Sequence, residues 1–223
     1  MAICDGRNVR SRSTAQVCSP VGSRALECLW IATIWSQQAG FQQSRFMIHR
    51  AAVFIDNGYL SKVVPNGMKV DFEQFCNTIC GGKERLRTYF YDCMPYQSEP
   101  PAEDERARYG NYCKFRDIIE GLPRFQMRFG KLRKNRDGTF EQKRVDILMA
   151  VELVRLSWSH QIGHAIIVSG DSDFVPAIEA AKDAGVITTL YYSKKSVHDE
   201  LLSAVDERYE MGPSFFKSVR RSQ

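Results

Sequence analysis

The chain has 223 residues, 43% hydrophobic and 26% charged, which is the balance of an ordinary globular protein with one sizeable domain and room for an appendage. A net charge of +5 suits a polyanionic partner but is too small to make the whole surface a nucleic-acid binder. No run approaches the ~20 apolar residues of a transmembrane helix; the best candidate, residues 25–35, is short and contains Glu27.

Residues 1–46 differ from the rest. They hold five arginines against Asp5 and Glu27, are rich in Ser, Arg and Gln, and show little period. They read as a basic, disordered extension, with Met47 as the functional start. A basic RNA-binding arm, or an amphipathic partner helix around Trp30 and Trp35, is the competing reading. With those arginines set aside the remaining residues are nearly neutral, so a nucleic-acid surface has to be a local patch. Seven cysteines include no CxxC pair, and they read as free thiols of a reducing cytoplasm.

From residue 51 the pattern is regular. Residues 51–55 form an apolar strand ending in Asp56-Asn57-Gly58. Asp71 caps a helix ended by Gly81-Gly82. A strand over 86–91 closes on Asp92, residues 98–101 are a loop, and 103–120 form a long helix. Residues 125–132 alternate as a strand, Asn135-Arg136-Asp137-Gly138 is a hairpin turn, and Phe140 begins the return. Residues 145–158 have helical spacing, with Val145, Leu148, Met149, Val151, Leu153 and Leu156 apolar. A strand over 165–168, a helix over 174–184, a strand over 186–192 and a short helix over 197–205 follow. Residues 213–223 read as a basic tail. This alternation predicts an α/β fold, a three-layer α/β/α sandwich around a mainly parallel sheet, spanning residues 47–212.

The acids fall at informative places. Ile166-Ile167-Val168 runs into Ser169-Gly170-Asp171-Ser172-Asp173, a strand end carrying two carboxylates. Asp56 closes the first strand, and Asp146 opens a helix. Parallel strands end at one edge, where ligands bind, so Asp56, Asp146, Asp171 and Asp173 can share a cleft. Each has an ordinary explanation alone, as a turn residue or a helix cap. Together they repel unless a cation lies between them, and Mg²⁺ or Mn²⁺ is the expected cofactor. Such ions serve phosphodiester cleavage.

A basic run leads into Asp146. It comprises Arg124, Arg128, Lys131, Arg133, Lys134, Arg136, Lys143 and Arg144, with Phe125, Phe129 and Phe140 interleaved. Arg128, Lys131, Arg133, Lys134, Lys143 and Arg144 are the candidate phosphate contacts. The phenylalanines are expected in the core.

Three segments in this order resemble the NYN domain of the LabA/DUF88 family, within the PIN-like nuclease superfamily. They are Phe54-Ile55-Asp56-Asn57-Gly58-Tyr59-Leu60, Lys143-Arg144-Val145-Asp146 and Val168-Ser169-Gly170-Asp171-Ser172-Asp173-Phe174-Val175-Pro176. Tyr89-Phe90-Tyr91-Asp92 also looks like a family stretch. The resemblance implies metal-dependent cleavage of RNA, with Asp56, Asp146, Asp171 and Asp173 as the metal site and Asn57 and Ser169 as supporting polar groups. It also implies 5′-phosphate and 3′-hydroxyl products. Arg144 stands where the family commonly has glycine. RNA is the expected partner, no membrane is, and a homo-oligomer is compatible with the sequence. A non-catalytic RNA-binding module on the same fold is the alternative. A haloacid-dehalogenase phosphatase is disfavoured because Gly58 occupies the position of its second aspartate. A toprim-like site lacks its upstream glutamate.

Overall fold

The computed structural model describes residues 50–134, 140–143 and 145–221, with side chains over 131–144 excluded. The extension expected over 1–46 and the turn over 135–138 lie outside them. Among the described residues, strands β1 (Arg50–Asp56), β2 (Glu84–Cys93), β3 (Phe125–Lys134), β4 (Phe140–Lys143), β5 (His164–Val168), β6 (Ile187–Tyr192) and β7 (Glu207–Glu210) form one sheet, in the order β4-β3-β2-β1-β5-β6-β7. All neighbours are parallel except β3 and β4, which pair antiparallel from Lys131 with Lys143 to Lys134 with Phe140.

The helices are α1 (Asn57–Val63), α2 (Phe72–Cys80), α3 (Glu103–Glu120), α4 (Val145–Trp158), α5 (Val175–Asp183), α6 (Asp199–Ala204) and α7 (Pro213–Ser218). The central strands β1 and β5 are apolar on both sides because both faces are covered. On one face Ala51, Val53 and Ile55 pack with Leu60 of α1 and Phe75, Cys76 and Ile79 of α2. On the other Ala52 and Phe54 pack with Met149 and Leu153 of α4 and Ile178 of α5. The period of two in β1 therefore feeds two cores, which is the α/β/α sandwich the alternation implies.

Local chemistry sets the boundaries. The Asp71 carboxylate accepts the Gln74 N–H at 2.9 Å, and Gly81 ends α2 at φ 55°, where a Cβ would be strained. Three elements escape the sequence pattern. Helix α1 begins in what reads as a turn, Asp56-Asn57-Gly58, because Asp56 caps it by accepting the Tyr59 N–H at 3.1 Å. Strand β7 is short and mostly exposed. Residues 213–221, expected as a basic tail, instead form α7 and a return to the domain. Phe216 and Val219 are buried, and the Asp71 N–H donates to the Val219 carbonyl at 2.9 Å. The apolar pair Phe215 and Phe216 outweighs the charges in deciding where this segment goes.

Helix α4 buries Val145, Met149, Leu153 and Leu156, but exposes Leu148 and Val151 with Ile147 and Trp158. It carries more apolar residues than one face can hold, so the expected core positions divide between core and surface. No described helix is long and apolar enough to cross a membrane. Cys76, Cys80, Cys93 and Cys113 are free thiols.

Candidate active site

The chain lays β1, β2 and β3 outward in one direction, then returns to place β5 on the other side of β1. The order reverses between β1 and β5, and a crevice opens outside the carboxyl ends of strands at such a point. Ile55 pairs with Val168, so Asp56 and Ser169 face each other where the strands end. Asp56 also pairs with Tyr91, which sets Asp92 one residue beyond. A helix that returns to a parallel strand runs antiparallel to it, so the first turn of α4, with Asp146, lies over the same edge. Asp171 caps a short 3-10 turn, Ser172–Phe174, by accepting the Asp173 N–H at 3.0 Å.

The electrostatics report this convergence directly. Burial raises the Asp56 carboxyl above its ordinary value, and the charge of Asp146 adds to it against hydrogen bonds from Tyr59 and Gly58. Burial likewise raises Asp146, and Asp171 and Asp173 push it further. Cys93, at the end of β2, is pushed up to about 11 by burial and then by Asp92, Asp146 and Asp56. Four predicted carboxylates and the thiol thus share one region of negative potential.

Asp92 is a fifth carboxylate there. It is buried, its pKa is raised by that burial, and the Asn57 Nδ2 donates to it at 2.7 Å. Its own Oδ1 accepts the Cys93 N–H at 2.8 Å. The rule that singles out Asp56, an acid closing a parallel strand beside the first, applies equally to Asp92. Asn57, expected as a supporting group, has its side chain on Asp92. Ser169 is fully buried, and its hydroxyl accepts the Asp171 N–H at 3.3 Å.

The loop bearing Asp171 is held by a close approach. A Cβ on Gly170 would lie 2.2 Å from the Ser196 carbonyl oxygen and 2.4 Å from the Tyr59 ring. The Tyr59 hydroxyl in turn accepts the Ser193 N–H at 2.8 Å. Gly170→Ala is expected to cost about 1–3 kcal/mol through this overpacking; a urea midpoint equal to wild type would contradict it.

Arg128, a candidate phosphate contact, is engaged internally. Its guanidinium grips Glu152 of α4 at 2.9 and 2.8 Å and lies 5.4 Å from the Tyr89 ring. The backbone of residues 131–134 continues past the last pair with β2, Cys93 with Gly130, so the hairpin projects beyond the carboxyl edge. Lys131, Arg133, Lys134 and Lys143 sit on it, but their side chains, like the whole of Arg144, lie outside the described set.

The donor set is made of carboxylate oxygens, which fits a hard divalent cation. Among the described residues no three His, Cys, Asp or Glu side chains stand close enough to form a ready-made cage. Mg²⁺ commonly takes one or two carboxylates and completes its shell with water and substrate phosphate.

A family model, the NYN domain, matches residues 50–212. The chain belongs to the NYN domain family. NYN domains lie within the PIN-like nuclease superfamily, which accounts for the sandwich. Seven solved chains match. One, a protein of unknown function from Vibrio parahaemolyticus RIMD 2210633, superposes with a TM-score of 0.58 at 17% identity, over 78% of this chain and 98% of that one. At that identity it speaks for the fold alone. A comparison with curated proteins finds no match.

Proposed function

We propose that this NYN domain is a divalent-metal-dependent ribonuclease of the LabA/DUF88 type. The observation that carries the reading is the placement of Asp56 at the end of β1, Asp171 just past the end of β5 and Asp146 in the first turn of α4, at the switch point of the sheet, where the charge of Asp146 raises Asp56 and those of Asp171 and Asp173 raise Asp146. Such a charge cluster is unfavourable for folding and has a use only when something cationic enters it. A bound Mg²⁺ or Mn²⁺ supplies charge neutralisation and an acidified water to phosphodiester hydrolysis.

The chain's own residues divide the remaining work. Asp56, Asp146 and Asp171 offer oxygens to the ion, and Asp173 offers one to a second ion or orients water. Asn57 holds Asp92 in place, and Ser169 steadies the Asp171 backbone. The hairpin bearing Lys131, Arg133, Lys134 and Lys143, with Arg144 beyond it, draws the RNA backbone toward the acids. Arg128 contributes to the fold of this edge through Glu152. Free thiols at Cys76, Cys80, Cys93 and Cys113, the first three buried, suit a reducing cytoplasm.

The full chain is expected to cleave single-stranded or structured RNA with Mn²⁺ or Mg²⁺ and to stop in EDTA. RNA that binds equally with and without EDTA and is never cut would replace the enzyme with a regulatory RNA-binding module on the same fold.

A further inference from the structure

A sizeable cavity among the described residues does not lie over the carboxylates. It opens beside them, about 690 Å³ in volume, and Asn57 lines it while donating to Asp92. That volume is within the range of small-molecule sites, roughly 300–1,000 Å³. One residue therefore belongs both to the acidic cleft and to the cavity wall.

The walls are apolar and partly aromatic. Leu60 of α1, Phe72 of α2, and Phe115 and Ile118 of α3 form them. The Phe72 and Phe115 rings stand 5.9 Å apart, edge to face. Ile118 is 52% exposed, so part of this apolar wall is open to solvent. The mouth is charged with both signs. Lys69 and Arg221 sit there, joined through their backbones at 2.9 Å, together with Asp71 and Glu73. A lipid chain or a simple anion uses only part of this set. A nucleotide uses all of it, with an apolar ring face for the walls, ring N–H groups for the carboxylates and a phosphate for the cations.

We propose that this cavity seats an unstacked base of the RNA strand next to the phosphodiester held at the acids, with Lys69 and Arg221 on the neighbouring phosphate. The inference rests on the ribonuclease reading for the identity of the strand, but its own content is base binding. It makes the protein a reader of single-stranded segments, since a paired base cannot enter.

Equilibrium binding to the full chain in EDTA tests it without cleavage. The probes are a fluorescently labelled oligouridylate and an abasic strand of equal length. The base-bearing strand should bind roughly five- to a hundred-fold tighter, the range of one stacked base. Ile118→Ser, a change at a half-exposed position, should remove that difference while melting like wild type. Lys69→Ala with Arg221→Ala should weaken both strands alike and flatten the salt dependence. Equal binding of the two strands, or a folded Ile118→Ser chain that keeps the difference, overturns the inference and assigns the cavity another occupant. Mn²⁺-dependent cleavage surviving in that case leaves the nuclease reading standing. Base-dependent binding through Ile118 without any cleavage sustains the cavity and removes the nuclease.

Discussion

Asp146→Asn is expected to lower RNA cleavage by about 100-fold or more, the scale of losing one electrostatic group at a reacting centre, and also to raise the melting temperature. The two effects share a cause. The Asp146 pKa is raised from 3.8 by burial and by the charges of Asp171 and Asp173, and Asp146 in turn raises Asp56. A carboxyl whose folded pKa lies above its unfolded value favours folding in its neutral form. Its ionisation lowers stability as pH rises from 3.8 through the folded value, and the penalty persists at neutral pH. Asparagine copies the neutral form, so the gain of about 0.5–2 kcal/mol should be present at neutral pH and fade toward acid. Calorimetry across pH alongside a cleavage assay reads both. A variant that cleaves like wild type, or melts lower at neutral pH, would contradict the site as described.

The second large effect belongs to Glu152. It is 7% exposed, and it accepts two bonds from Arg128, one from the Tyr91 hydroxyl at 2.9 Å and one from Arg155 at 3.2 Å. Burial alone would raise its pKa, but the hydrogen bonds from Arg128 and Tyr91 hold it below the ordinary 4.5. The sign is therefore opposite to that of Asp146: Glu152 contributes stability above pH 4.5, lost as pH falls through its folded value. Glu152→Ala leaves a half-buried guanidinium and a buried hydroxyl without their acceptor. The cost is about 3 kcal/mol, the low end for breaking a buried pair because Arg128 is partly exposed. In a domain of this size that is about 6–12 °C in melting temperature. Since Glu152 fastens α4 to β2 and β3, and α4 carries Asp146, cleavage should fall with it. A thermal scan within 2 °C of wild type, about 0.5–1 kcal/mol, would show that the network is dispensable.

Much of the architecture was legible because β1, β5 and α5 obey simple periods. Ala51 to Ile55 and Ala165 to Val168 are apolar on both sides, which only a covered parallel sheet permits. Helix α3 matches its expected span from Glu103 to Glu120 because acids open it and Gly121 follows its end. Helix α1 was hidden because Asp56-Asn57-Gly58 is equally good turn chemistry, and the cap decides only once Tyr59 and Leu60 find a core. The docking of residues 213–221, with Phe216 and Val219 buried, involves a partner over a hundred residues away, Val70 bridging to Arg220, which no local pattern reveals.

The sequence by itself determined that a parallel α/β sheet would end in aspartates, since strand ends and helix starts are local properties of period and cap. It also determined that Asp171 and Asp173 flank one turn. The tertiary structure alone decided that β5 returns beside β1, and so that Asp56 and Asp171 share an edge. It added Asp92 and Cys93 to that edge, moved Arg128 into the Glu152 network, and opened a cavity next to Asn57. These are consequences of strand order and of which side chains meet across tens of residues, and charge repulsion or pairing comes into being only when they do.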